Sequence, residues 1–167
     1  MKIQLRLHSP PISINSAYYK KNNSFNEGSR KWRANFLKEL QNDYNQSQLK
    51  KLKAVFDPNK HMLRTCFTWS QPIDIILTKA GTLSLRSTDV DNCLKIPTDC
   101  VFDKKYCDNW LKLLKGREKT LYDIISLVNL DINDKFIFDT RSIKQPSNDG
   151  LYHCTVDVEL VEVFSRA

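Results

Sequence analysis

Two aspartates and a lysine sit close together in the stretch RSTDVDNCLK, residues 86–95. Asp89 and Asp91 are two positions apart, so on an extended strand both side chains project from one face. Lys95 follows Asp91 by four residues, one turn on if the chain has entered a helix. Two carboxylates and an ammonium at a strand-to-helix junction suit phosphoryl transfer. The carboxylates hold hard divalent cations through oxygen, and the lysine can meet a phosphate oxygen. A second acidic spot, DIND at 131–134, lies just before a β pattern. Asp134 could close a metal site from a neighbouring strand; Asp139 is a further candidate, or a partner for a basic residue. The same residues also have plain structural readings: Asp89 as a turn residue, Asp91 as a helix N-cap, Asp134 as a turn at a strand start. Asp-x-Asp alone is a weak motif, and taken by itself it favours those structural readings.

The balance of charge asks for an anionic partner. Twenty-six Lys+Arg face 19 Asp+Glu, a formal net charge of +7. A small basic chain is biased toward polyanions, nucleic acid first, although a solvated lysine-rich surface satisfies the same composition. Tyr18, Tyr19, Lys20 and Lys21 put aromatics beside cations after a Pro-Pro segment, a pairing that can stack on bases and touch phosphates, or equally pin a loop to the core. No apolar run reaches the ~18 residues of a membrane span, and the opening MKIQLRLHSPP does not read as a signal peptide. The five cysteines are odd in number and form no CxxC. Cys93, Cys100 and Cys107 recur every seven residues, which fits one helical face better than a zinc cage. Buried thiols in a reducing, cytoplasmic compartment are expected.

These groups need a scaffold, and hydrophobic periodicity outlines one. Residues 2–8 alternate as a half-buried strand. Trp32, Phe36, Leu40 and Tyr44 step by four along a helix over 29–56, with Ser29 as its N-cap and a second piece or continuation from Gln46. Asp57-Pro58-Asn59 stops it. Residues 64–78 and 82–86 read as two strands joined at Lys79-Ala80-Gly81, with an edge or bulge at Pro72. A helix over 91–102 contains Pro97, which should kink or restart it. Residues 103–130 are helical again. Residues 135–145 and 152–164 read as strands, joined at PSNDG by a turn of hairpin type. The expected fold is a single α/β domain over 1–167, a mixed sheet of about five strands covered by helices.

The order of these pieces resembles the RusA family of Holliday junction resolvases. PPISINSAYYK at 10–20 is similar to the family's proline-proline, asparagine, tyrosine-basic segment. DVDNCLKIPTD at 89–99 resembles its D-x-D-N-x-x-K-x-x-x-D signature. LDINDKFIFDTRSIK at 130–144 resembles its L-x-D-D segment and the strand after it, which ends in lysine. About a third of the chain carries the likeness, and the middle patch is the most specific. The resemblance implies a homodimeric endonuclease dependent on Mg²⁺ or Mn²⁺ that cuts branched, four-way DNA. It assigns the metal to Asp89, Asp91 and Asp134, makes Lys95 the essential lysine, and points to Asn15, Tyr18, Tyr19, Lys20, Lys21, Arg86 and Lys144 as DNA contacts. A metal-activated water would attack the phosphodiester in line. Three departures stand out. Asn133 replaces the first of an acidic pair, Arg86 is alone where the family often carries several arginines, and about 25 residues near 103–128 are inserted. That insert carries Lys104, Lys105, Lys112, Lys115 and Arg117, and it could serve a dimer interface, a DNA-facing surface or outer packing.

Overall fold

The computed structural model describes residues 1–13, 27–84, 91–105, 124–125 and 127–163, with Asp91 described in its backbone alone. Four strands form one sheet: β1 (Lys2–Leu7), β2 (His61–Gln71), β3 (Ile137–Pro146) and β4 (His153–Glu162), in the order β1-β4-β2-β3. β4 runs antiparallel to both β1 and β2, whereas β3 runs parallel to β2. Helices α1 (Glu27–Leu40), α2 (Asp43–Val55), α3 (Ile73–Ile76) and α4 (Lys95–Phe102) complete the described elements, with 3₁₀ turns at Asp91–Cys93 and Asp134–Phe136.

Alternation along the strands decides which face is covered. Ile3, Leu5 and Leu7, Leu63, Phe67 and Trp69, and Cys154, Val156 and Val158 are all buried. The register aligns Leu5, Val156 and Phe67 in one row and Leu7, Cys154 and Trp69 in the next, so each row presents apolar groups to the same side. Trp32, Phe36, Leu37 and Leu40 of α1, Leu49 and Leu52 of α2, and Ile96, Val101 and Phe102 of α4 fill that side to make one core cluster. The opposite face is polar and tied across strands. Arg64 bridges Asp139 at 3.0 Å and Glu159 at 2.9 Å, Arg141 reaches Asp139 at 3.3 Å, and Gln4 donates to Asp157 at 3.1 Å.

Several expectations need correction. The sheet has four described strands, close to the about five expected; the strand expected over 64–78 ends at Gln71, where Pro72 opens the short α3. Proline has no N–H to continue a ladder. Beyond it, a turn around Gly81, at φ 76°, returns the chain for the bridge Leu77–Leu83, while Leu85 and Arg86 of the expected 82–86 strand lie outside the described residues. Ser29 is not a cap; it lies buried inside α1, where its hydroxyl accepts from Arg33. Of the two readings of 29–56, the second helical piece is the one found, and it begins at Asp43 rather than Gln46. Asn42 caps the second, its side chain accepting from the Asn45 amide at 2.8 Å. Tyr44 consequently leaves the row begun by Trp32, and Arg6 packs over its exposed ring at 4.7 Å. PSNDG is not a hairpin turn, since β2 lies between β3 and β4. That connection crosses the end of β2, where the Ser147 amide donates to the Gln71 carbonyl at 2.7 Å. Pro97 does restart its helix: a 3₁₀ turn precedes it, and it sits in the first turn of α4, where no intrahelical N–H is needed. Cys93, Cys100 and Cys154 are buried thiols and Cys66 is half-buried, while Cys107 lies outside the described residues. Most of the 103–128 insert also lies outside them, including Lys112, Lys115 and Arg117. Ile124, Ile125 and Val128, near its end, are core residues.

Candidate functional site

The covered face of the sheet is apolar on β1, β4 and β2 but polar on β3. Thr65, Phe67 and Trp69 pair in register with Thr140, Ser142 and Lys144, so those three β3 residues face the helical layer too. The Thr65 hydroxyl donates to that of Thr140 at 3.1 Å. Against this polar strip stands the first turn of α4. Leu94, Lys95, Thr98, Asp134, Ile137 and Thr140 line an open depression of about 310 Å³.

Lys95 is the first residue of α4, where the helix dipole opposes a cation. Its ammonium is held instead by carboxylates. It donates to Asp99 Oδ1 at 2.7 Å, one turn along, and lies 3.8 Å from Asp134 Oδ2. The two acids differ sharply in exposure: the Asp99 side chain is 1% exposed and that of Asp134 58%. The ion pair is therefore asymmetric. For Lys95, burial pulls the pKa down, yet the bond to Asp99 and the attraction of Asp99, Asp134 and Asp103 together outweigh it, and the net shift is upward. For Asp99, burial is the larger effect and raises the carboxyl pKa despite Lys95. Lys95 thus stays charged at neutral pH: it can hold an anionic oxygen but cannot serve as a base.

What brings Asp134 to Lys95 is a stitched segment 39 residues further along. The amides of Leu130 and Ile132 donate to the carbonyls of Val101 and Phe102 at 2.8 and 2.9 Å, extending the C-terminal end of α4. Buried Asn129 locks this junction: its Nδ2 donates to the Cys100 carbonyl at 2.9 Å and its Oδ1 accepts from the Asp131 amide at 2.8 Å. Asp131 occupies the left-handed region at φ 56°, which aspartate tolerates better than most residues. The chain then reverses into the 3₁₀ turn that starts at Asp134 and feeds β3.

Of the residues singled out in the sequence, Lys95 and Asp134 meet here, and Lys144 shares their face of the sheet. Asp91 opens the 3₁₀ turn that leads into α4, four residues before Lys95. Asp89, Arg86, Asn15, Tyr18, Tyr19, Lys20 and Lys21 lie outside the described residues, as does the Asp91 side chain. Asp139 is a partner of Arg64 and Arg141 on the opposite face and takes no part in the site. Asn133 caps the 3₁₀ turn, its side chain accepting from the Lys135 amide at 3.0 Å. It borders a separate depression of about 350 Å³ with Lys53, Phe56 and Lys135. Sequence reading gave no role to Asp99 or Asn129. Asp99 had a signal, since it ends the quoted 89–99 signature; Asn129 had none.

Asp134 offers hard, accessible carboxylate oxygen, the donor chemistry that Mg²⁺ and Mn²⁺ take. Asp99 is committed to Lys95. Among the described residues no three His, Cys, Asp or Glu side chains are grouped to hold a metal ion, the Asp89 and Asp91 carboxylates being outside that set. No protein-family model matches the chain, and no curated protein matches it either.

Proposed function

We propose that this protein is a divalent-metal-dependent endonuclease of the RusA kind that cuts four-way DNA junctions. The observation that carries the reading is the meeting of Lys95 and Asp134, 3.8 Å apart, from two distant patches of the resemblance. They line one open depression, and Asp91 sits one turn ahead of Lys95 in the chain. A bound Mg²⁺ or Mn²⁺ would supply charge neutralisation at the phosphodiester and a more acidic water. Asp134, with Asp89 and Asp91, would hold that ion through oxygen. Lys95, charged at neutral pH and tethered by buried Asp99, would orient a phosphate oxygen and stabilise the charge that develops there. Lys144 extends the positive edge along β3, about four residues or ~13 Å from Thr140. Affinity from such a surface is strongly salt-dependent. A two-fold dimer would present two such sites to symmetric strands.

The test is cleavage of a synthetic four-way junction beside a linear duplex of the same sequences, in Mg²⁺, Mn²⁺ and EDTA. Wild type is compared with Asp91→Asn, Asp134→Asn and Lys95→Met. Paired cuts confined to the junction, requiring metal and absent from the variants, are expected. Cutting of both substrates would replace the junction-specific reading with a broader nuclease. Tight junction binding without cleavage at any metal concentration would overturn catalysis and leave a branched-DNA-binding protein.

A further inference from the structure

At the far end of the β1–β4 pair, on the polar face of the sheet, two histidines stand side by side. The register that pairs Leu7 with Cys154 makes His8 and His153 the next cross-strand neighbours. Their Nδ1 atoms are 3.2 Å apart, with the rings edge to face and centroids 5.2 Å apart. Two imidazole nitrogens bound at 2.0–2.1 Å to one tetrahedral ion are about 3.3 Å apart by geometry.

Both rings are pre-set. His153 Nε2 lies 2.7 and 2.9 Å from the two oxygens of Asp149. With both carboxylate oxygens on Nε2, that nitrogen is the one placed to donate the ring hydrogen, which leaves Nδ1, facing His8, as the ligand atom. This carboxylate–imidazole arrangement is the usual outer support of a metal-bound histidine. His8 is fixed from the other side: Glu39 of α1 accepts from the backbone amides of His8 and Ser9 and from the Ser9 hydroxyl. His8 is exposed and can keep its own hydrogen on Nε2, in water, presenting Nδ1. Neighbouring Cys154 is no ligand, since it is fully buried in the core with its cross-strand partner Leu7.

We propose that His8 and His153 form a binding site for a late first-row divalent ion such as Zn²⁺, Ni²⁺ or Cu²⁺, with Asp149 as the positioning residue. Imidazole donors select these ions over Mg²⁺ and Mn²⁺. Water or a donor from a bound partner completes the coordination. The ion clamps the end of β1 to the start of β4, at the root of the segment that leads into the tyrosine-lysine stretch. The site is independent of the nuclease reading.

The test titrates metal-stripped, full-length protein with Zn²⁺ by calorimetry and follows the histidine rings by NMR with substoichiometric Ni²⁺ or Cu²⁺. One ion per chain is expected, with paramagnetic broadening confined to His8 and His153. His8→Asn and His153→Asn should each abolish that binding. Asp149→Asn should weaken it by roughly tenfold or more without changing stoichiometry. His61→Asn should leave it intact, because the His61 Nδ1 already accepts from the Asp57 amide at 2.9 Å. Absence of saturable binding, unchanged affinity in both histidine variants, or broadening centred on His61 or Cys66 would each overturn the proposal. The wild-type NMR map decides the matter even if a variant does not fold.

Discussion

Replacing Lys95 with methionine should destabilise the protein in a pH-dependent way. Methionine keeps most of the aliphatic length and removes the ammonium that Asp99 Oδ1 meets at 2.7 Å. Asp99 is 1% exposed, so the variant takes the ammonium away from a carboxylate held in the core. Breaking a fully buried pair costs about 3–5 kcal/mol. Here the lysine side chain is 53% exposed and partly screened by water, so the expectation falls to about 1–3 kcal/mol. For a domain of this size that is a loss of roughly 3–10 °C in Tm. The sign follows from Asp99. Burial already raises its pKa, and losing Lys95, its largest opposing influence, raises it further. Above that folded pKa the buried carboxylate is charged and costly. As pH falls through it, the group takes up a proton and the penalty fades. Urea and thermal unfolding across a pH series should therefore show the gap from wild type widest at pH 8 and shrinking as pH falls through the folded pKa of Asp99. Asp99→Asn in the Lys95→Met background should recover stability at pH 8, giving a coupling energy of about 1–2 kcal/mol in the double-mutant cycle. A gap that does not shrink anywhere on the acid side, or no recovery, would refute the assignment of Asp99 as the buried anchor of Lys95.

Four further outcomes follow from the same geometry. The Lys95 contribution, from a pKa raised above 10.5, should be fully present below about pH 10.5 and lost as pH climbs through the folded value, which alkaline unfolding of wild type and Lys95→Met would compare. Asn129→Ala removes the bonds to the Cys100 carbonyl and the Asp131 amide, and should cost about 1–3 kcal/mol in urea unfolding. Phe67→Ala empties a fully buried position at the centre of the sheet and should cost about 3–5 kcal/mol by the same assay. Asn42→Ala removes the α2 cap and should cost about 1 kcal/mol, read as a small drop in Tm.

The four strands and the α1, α2 and α4 segments were legible because each buries one face, which writes a period of two or 3.6 into the residues. The places where reading failed share a cause: they are decided by partners distant in the chain. Between β3 and β4, PSNDG has the composition of a hairpin turn, yet β2 is inserted between its strands. Tyr44 continues the spacing of Trp32 and Phe36, but the cap at Asn42 restarts the helix and turns it outward. Asp139 and Asp134 looked alike as acidic residues beside a strand. The pleat sends Asp139 to the open face with Arg64, while the 3₁₀ turn leaves Asp134 beside Lys95.

Lys95, its four-residue spacing to Asp99, and the alternation of every strand are properties of the chain alone, since local geometry turns spacing directly into direction. That Asp99 is buried while Asp134 is exposed, that both meet one ammonium, and that His8 touches His153 depended on tertiary structure. Those contacts join residues 39 and 145 positions apart. They exist because the Asn129 junction holds the segment before β3 against α4, and because β1 adds antiparallel to β4. No local period encodes either of those events.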